Sequence, residues 1–169
     1  MTMAKFDTIV IGSGPGGEGA AGELASAGQN VAVIEEHPEV GGGCLHWGTI
    51  PSKTLRHEIQ LLNDIRSHPI TQKHARSLKV DYAKLLSAAQ PVINAQVTNK
   101  YKNYASKNIE IIHGRARFTS SHEIEVMQAG KAERYQADRF IIATGSRPYQ
   151  PDNVDFSHPR ILDSDKVLQ

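Results

Sequence analysis

The sequence predicts an α/β domain built on a parallel sheet, with a small antiparallel β layer added to it. Three observations predict it. An apolar run over residues 6–11 passes directly into Gly12-Ser13-Gly14-Pro15-Gly16-Gly17, a small-residue helix follows over residues 16–27, and a second β-rich run over residues 30–35 ends in Glu35. Strands without polar alternation suit a parallel sheet covered on both faces. Strand, helix and strand in this order make one β-α-β unit.

Each element has a local reason. Ile9, Val10 and Ile11 are strong β-formers, as are Val31, Val33 and Ile34 in the second strand. Gly28 suits the left-handed cap that ends the first helix. Pro51 fits the first turn of the next helix, with Ile50 or Ser52 near its cap. Leu55, Ile59, Leu62 and Ile65 or Arg66 continue that helix at roughly helical spacing. Residues 67–79 are polar, contain Pro69 and read as a loop. Asp81 is placed to cap a second long helix through Leu85, Leu86, Ala89, Ile93 and Val97. Pro91 should kink or divide that helix, because it lacks a donor and crowds the preceding turn. Residues 109–112 read as a strand, and residues 122–136 as an antiparallel excursion around Ala129-Gly130-Lys131. Residues 140–143 read as a buried strand ending in Thr144-Gly145. There is no internal repeat.

Gly12, Gly14 and Gly17 satisfy G-x-G-x-x-G, with Pro15 and Gly16 between them. The pattern alone is weak; a strand before it and a helix after it make it specific. Gly12 permits the tight turn, Gly14 lets a pyrophosphate approach the backbone, and Gly17 lets helix and strand pack closely. The helix N-terminus offers free N–H groups and partial positive charge to phosphates. These features predict a Rossmann-type three-layer domain for FAD or NAD. Glu35, at the end of the second strand, is placed to accept hydrogen bonds from the adenosine ribose, and a carboxylate there disfavours NADP. Glu36 is a second candidate, although a solvated charge is its simpler reading.

With 169 residues, 39% of them apolar, the chain can bury one ordinary core or one core plus an excursion. A formal charge of +1 gives no electrostatic reason to expect nucleic acid or an anionic membrane as partner. The single cysteine excludes an internal disulfide framework and fits a reducing compartment. No run approaches the ~18 apolar residues of a membrane span, and the first apolar run is too short and glycine-rich for a secretory segment. A cytoplasmic location is the expectation. The histidines show no metal-ligand spacing, so no metal site is expected.

Residues 41–53 read Gly41-Gly42-Gly43-Cys44-Leu45-His46-Trp47-Gly48-Thr49-Ile50-Pro51-Ser52-Lys53. This segment resembles the redox segment of the pyridine nucleotide-disulfide oxidoreductases, roughly Gly-Gly-x-Cys-x-x-x-x-Cys-x-Pro-Ser-Lys, whose two cysteines take electrons from reduced flavin. Cys44 stands at the first cysteine and Thr49 at the second. A hydroxyl cannot form a disulfide, so disulfide chemistry is excluded at this site. One branch of the family, the soluble pyridine nucleotide transhydrogenases, is known for this loss, and its His-Trp-Gly-Thr-Ile-Pro-Ser-Lys wording matches residues 46–53. Ala143-Thr144-Gly145-Ser146-Arg147-Pro148 resembles the family's second flavin-side motif, and His113-Gly114-Arg115-Ala116 holds the place where its backbone contacts the adenine.

The resemblance implies FAD rather than NAD in the first site. Gly42, Gly43 and Cys44 would lie along the pyrophosphate and isoalloxazine, Ala116 by the adenine, and Ala143, Thr144 and Gly145 by the flavin. Lys53 corresponds to a lysine near flavin N5 that pairs with a glutamate elsewhere in the fold; a cation there stabilises reduced, anionic flavin. Cys44 and Thr49 are the other catalytic candidates. Without a resolving cysteine, Cys44 reads first as a small packed side chain, and Thr49 as a space-filling, hydrogen-bonding replacement. His46 and Trp47 could equally pack or shape the flavin face.

Enzymes of this family are much longer. Residues 1–150 are expected to be the first segment of an FAD-binding domain, and residues 151–169 a linker towards an NAD(P)-binding domain, since no second G-x-G-x-x-G follows. The implied parent activity is ping-pong hydride transfer between NADPH and NAD+ through FAD, in a homodimer or other homo-oligomer. The chain by itself is expected to be inactive. The alternatives are a non-catalytic flavin-binding module and a flavin-dependent NAD(P)H oxidase of the same fold.

Overall fold

The computed structural model describes residues 3–75 and 79–168. In chain order the elements are β1 (Ala4–Ile11), α1 (Pro15–Ser26), β2 (Val31–Glu35), α2 (Gly42–His46), α3 (Thr49–Ser67), α4 (Gln72–Ala75), α5 (Tyr82–Ser87), α6 (Ala89–Ser106), β3 (Glu110–His113), β4 (Arg115–Ser120), β5 (Glu123–Gln128) and β6 (Lys131–Ile142), with a 3₁₀ turn at Lys166–Leu168. They form two compact units: Met1–Gly42 with Val97–Ser146, and Gly43–Gln96 with Arg147–Gln169.

The first unit carries a six-stranded mixed sheet in the order β3-β2-β1-β6-β5-β4. β3, β2, β1 and β6 are parallel, with Thr8 opposite Val31, Ile9 opposite Phe140 and Ala32 opposite Glu110. β6, β5 and β4 are antiparallel. The side chains of β2 alternate between two cores, as a pleated strand requires. Val31 and Val33 join Val10, Ala21, Tyr104 and Ile109 on the side of α1 and α6. Ala32 and Ile34 join Ile9, Ile112, Ile124 and Val126 on the opposite side, where the antiparallel strands cover the parallel sheet. Helices, parallel sheet and antiparallel strands are thus the three layers. Fully buried side chains such as Ile9, Ile34 and Ile124 each contribute about 1.5–3 kcal/mol of burial free energy.

Two lysines join α6 to α1. Lys100 is ion-paired with Glu18, and Lys107 Nζ donates to the Gly22 carbonyl and Ser26 Oγ, both at 3.3 Å. The expected cap at Gly28 is present, with φ +83°.

The structure departs from the sequence expectations at several points. The strand expected over residues 140–143 is the end of the twelve-residue β6, which runs unbroken from the hairpin into the parallel sheet. It is not fully buried either, since Ile142 is 67% exposed. β4 was not foreseen: its residues are nearly all exposed, so it carries no alternating apolar signal. The hairpin turn is the expected one, with Ala129 and Gly130 both at positive φ (48° and 80°), as a two-residue type I′ connection demands.

In the second unit, α3 starts two residues before Pro51, with Gly48 at its cap instead of Ile50 or Ser52. A short α2 precedes it, in a stretch to which the sequence assigned no element. The loop expected over residues 67–79 contains the single helical turn α4, and its residues 76–78 lie outside the described residues. Asp81 does cap a helix, its carboxylate accepting the Lys84 N–H at 2.8 Å. That helix is the six-residue α5, and the break falls at Ala88, ahead of Pro91. Pro91 thereby occupies the first turn of α6, where its missing N–H has no intrahelical partner to lose. Ile59 of α3 is 40% exposed and Leu55, Leu62 and Ile65 are half-buried, so its apolar stripe is only partly covered. No described helix is long and apolar enough to cross a membrane.

Tyr104 is 1% exposed and its hydroxyl has no hydrogen-bond partner among the described residues. Burial, reinforced by the Glu18 and Glu35 carboxylates, raises its pKa. A buried hydroxyl without a partner costs about 1–3 kcal/mol, so Tyr104→Phe is expected to stabilise the chain by about 1 kcal/mol. The raised pKa also makes the folded state lose stability once pH rises past about 10, where the unfolded tyrosine ionises and the folded one does not. Urea unfolding of the two proteins at neutral and alkaline pH checks both: the gap in favour of phenylalanine should widen above that pH.

Candidate functional site

Four segments of the first unit meet at the carboxyl ends of the parallel strands, the edge at which open α/β sheets bind ligands. Gly12 follows β1, Glu35 ends β2, His113 ends β3 and Ala143 follows β6. Gly12 has φ +103° and donates its N–H to the Ile34 carbonyl at 2.8 Å. A Cβ on Gly12 would sit 2.3 Å from the Ala143 oxygen, and one on Gly17 only 1.9 Å from the Gly12 oxygen. Packing therefore excludes side chains at both positions.

Gly14 and Gly16 differ. Gly14 has an ordinary φ of −63°, and a Cβ there would meet nothing closer than the Gly42 Cα at 4.0 Å. A Cβ on Gly16 would meet nothing within 4 Å. Pro15 opens α1 without an N–H to satisfy, and no side chain among the described residues caps its start. The first turn of α1 is left as an uncovered set of donors with two glycines that the protein's own packing does not require. That arrangement fits a diphosphate.

Glu35 is 7% exposed and its carboxylate is heavily used. One oxygen accepts the Ser13 N–H at 3.0 Å and also the Ser13 hydroxyl; the other accepts the His37 N–H at 2.7 Å. Ser13 Oγ in turn accepts the Gly41 N–H at 2.9 Å. Ser13 thus joins the glycine loop, the end of β2 and the segment leading to Gly42. Glu36 is exposed and lies 4.0 Å from Arg115. These two residues, with His37, Pro38, His113, Gly114 and residues 127–129, line a cleft of about 580 Å³. His113 Nδ1 lies 3.3 Å from the His37 carbonyl and Nε2 lies 3.3 Å from the Tyr101 hydroxyl. Burial, then the Glu39 carboxylate, raises the Tyr101 pKa. Ala116 sits in β4 opposite Val126, its side chain against the core. The Ala143 N–H donates to Ile11 at 2.8 Å, and Thr144 and Gly145 beyond it are exposed.

The second unit holds Gly43, Cys44, Thr49 and Lys53. Cys44 is a half-buried free thiol in α2, Thr49 is the first residue of α3, and Lys53 is exposed one turn later. Lys53 makes no hydrogen bond or ion pair with a described residue. Trp47 organises this segment. A Cβ on Gly43 would lie 2.7 Å from the indole Nε1, the Arg147 guanidinium stands 5.0 Å from the ring centroid, and the His46 ring is 5.9 Å away. The structure thus gathers Gly12, Gly14, Pro15, Gly16, Gly17, Glu35, Glu36, Gly42, Ala116, Ala143, Thr144 and Gly145 in one unit, and the redox-segment residues in the other.

Sequence reasoning passed over Ser13 and Tyr101, and gave His113 a place only as part of the adenine-side motif. Ser13 occupies a variable position of the glycine motif, and its partners stand 22 and 28 residues away. A hydroxyl between two motif glycines was the only available signal.

A family model described as pyridine nucleotide-disulphide oxidoreductase matches residues 6–169. The chain belongs to this family. Among curated members it is 51% identical over 164 residues to the soluble pyridine nucleotide transhydrogenase of Vibrio atlanticus, covering 96% of this chain and 35% of that protein. The transhydrogenase of Photobacterium profundum is 48% identical over 165 residues, covering 97% and 35%. The chain therefore spans about a third of the length of the curated relatives it matches. Among solved structures, the Cu(II) complex of the HOCl-induced flavoprotein disulfide reductase RclA from Escherichia coli superposes with a TM-score of 0.80 at 28% identity, covering 98% of this chain and 34% of that one. The α/β Rossmann-type class expected from the sequence is thus the fold of this family member.

The glycine geometry separates two kinds of position. Gly17→Ala is expected to destabilise the chain by about 3 kcal/mol through overpacking, whereas Gly14→Ala should leave stability within about 0.5 kcal/mol; urea unfolding distinguishes them. Ser13→Ala removes buried hydrogen bonds to Glu35 and Gly41 and should cost about 1–3 kcal/mol, measured in the same way, with hydrogen exchange at the Gly41 amide accelerated.

Proposed function

We propose that the chain is the FAD-binding portion of a flavoenzyme that moves hydride between NADPH and NAD+ without a redox disulfide. The observation that carries this reading is Thr49, which stands where the family's second redox cysteine belongs, while the rest of the segment from Gly41 to Lys53 keeps its pattern. Identities near one half to curated soluble transhydrogenases support it.

In this reading Gly12, Gly14, Pro15, Gly16 and Gly17 form the diphosphate cradle at the start of α1. The cradle passes a simple fit test: the room a Cβ would fill at Gly14 and Gly16 is not taken by the protein. Glu35 recognises the ribose. A carboxylate offers about four acceptor sites; two Ser13 donors and the His37 N–H take three, leaving one for a ribose hydroxyl. Those same bonds hold the carboxylate in one orientation. Glu36 borders the cleft lined by His37, His113 and Arg115, and Ala116 lies on the adenine side. Gly42, Gly43, Cys44, Ala143, Thr144 and Gly145 serve the flavin side.

When bound, FAD supplies the centre that takes hydride from one nicotinamide and returns it to the other. Lys53 provides a cation for the reduced ring, and its exposed ammonium, free of any carboxylate among the described residues, is available for that task. Thr49 keeps the site free of a second redox group, and Cys44, without a resolving thiol, is a packing residue in the same segment. The resemblance also supports a cytoplasmic homodimer as the parent enzyme.

The purified chain titrated with FAD tests the reading. Binding should give the visible band of bound oxidised flavin, and Gly14→Ala should weaken it at least about tenfold, or about 1.4 kcal/mol, with stability retained. Equal binding by the variant, or no flavin bound by the unsubstituted chain, overturns the reading. Addition of NADPH and an NAD+ analogue to the flavin-loaded chain separates hydride transfer from a flavin-binding module without turnover.

A further inference from the structure

We propose that Lys100 is a positioning residue for the diphosphate cradle: it pairs with Glu18 and removes an opposing charge from the start of α1. The inference rests on the FAD reading above. Glu18 is the acidic residue of the first turn of α1 and follows directly on the glycine loop. A carboxylate at this end of a helix is itself favoured by the macrodipole. It therefore competes for the same positive end that a diphosphate uses, and repels that diphosphate besides.

The tertiary structure answers this conflict from another element. Lys100 on α6 is ion-paired with Glu18, and the two side chains are only 17% and 23% exposed. At that burial the pair is screened less by salt than a surface pair. No other cation is paired with Glu18 among the described residues. Tyr104, one turn further along α6, offers no relief: its hydroxyl has no partner among the described residues, and burial, then the Glu18 carboxylate, raises its pKa. The pair thus holds Glu18 against α6 and makes its charge locally neutral. The first-turn N–H groups remain available to the ligand.

Lys107 provides an internal contrast. It also joins α6 to α1, but its ammonium binds the Gly22 carbonyl and Ser26 hydroxyl at the far end of the helix. Lysine at that site adds stability without touching the cradle's electrostatics.

Calorimetric titration of FAD into the full chain and four variants tests the proposal. Lys100→Met should bind about tenfold more weakly, about 1.4 kcal/mol, with the deficit shrinking as ionic strength rises. Glu18→Gln alone should bind at least as tightly as the unsubstituted chain. The Glu18→Gln, Lys100→Met double variant should recover affinity to within about twofold, because the two sites are coupled. Lys107→Met should lower stability and leave FAD affinity unchanged. Unchanged affinity in Lys100→Met overturns the proposal and leaves the FAD reading standing. So does a deficit that neither salt nor Glu18→Gln relieves, which would mark a purely structural role. Failure of the unsubstituted chain to bind FAD overturns both.

Discussion

The backbone contact between Gly12 and Gly17 sets the geometry on which the nucleotide half of the site depends, because it decides where α1 begins relative to β1. With a Cβ excluded at 1.9 Å from the Gly12 oxygen, the helix starts directly on the end of the strand. Its first-turn donors then lie at the carboxyl edge of the sheet. Glu35, at the end of the neighbouring strand, holds the intervening Ser13 by both its N–H and its hydroxyl. Ser13 passes the constraint on to Gly41. A turn, a strand end and the approach to Gly42 are therefore one hydrogen-bonded junction.

β6 plays the corresponding role for the layers. Its first half pairs antiparallel with β5 and its second half parallel with β1. One continuous strand thereby ties the covering strands to the sheet they cover, and the core between them is filled by residues from both, such as Ile124 and Ile34. A strand that serves two partners in two directions has no single periodicity. That is why residues 131–142 read as two separate elements in the sequence.

Much of the fold was legible wherever the signal was local. The strand before the glycines, the Gly28 cap, the Asp81 cap and the Ala129-Gly130 turn each follow from a residue's own backbone preference or a bond within a few positions. The errors fall where context decides. β4 lacks an apolar pattern because it is an exposed edge, and the helix boundaries around Pro51 and Pro91 moved because proline is tolerated throughout a first turn. In the candidate site, the motif positions were legible and the residues that hold them were not. Ser13, Tyr101, His113 and Lys100 act through partners far away in the chain.

By itself, the sequence determined the α/β class, the glycine cradle, the acidic end of the second strand and the absence of a second redox cysteine at Thr49. These are properties of residue type and short spacing. Only the tertiary structure decided which glycines are demanded by packing and which leave room for a ligand. It also decided that Glu35 is oriented by Ser13 and His37, and that Glu18 is answered by Lys100. The physical reason is the same in each case: space and charge compensation are set by atoms brought together from distant parts of the chain, and no local pattern encodes them.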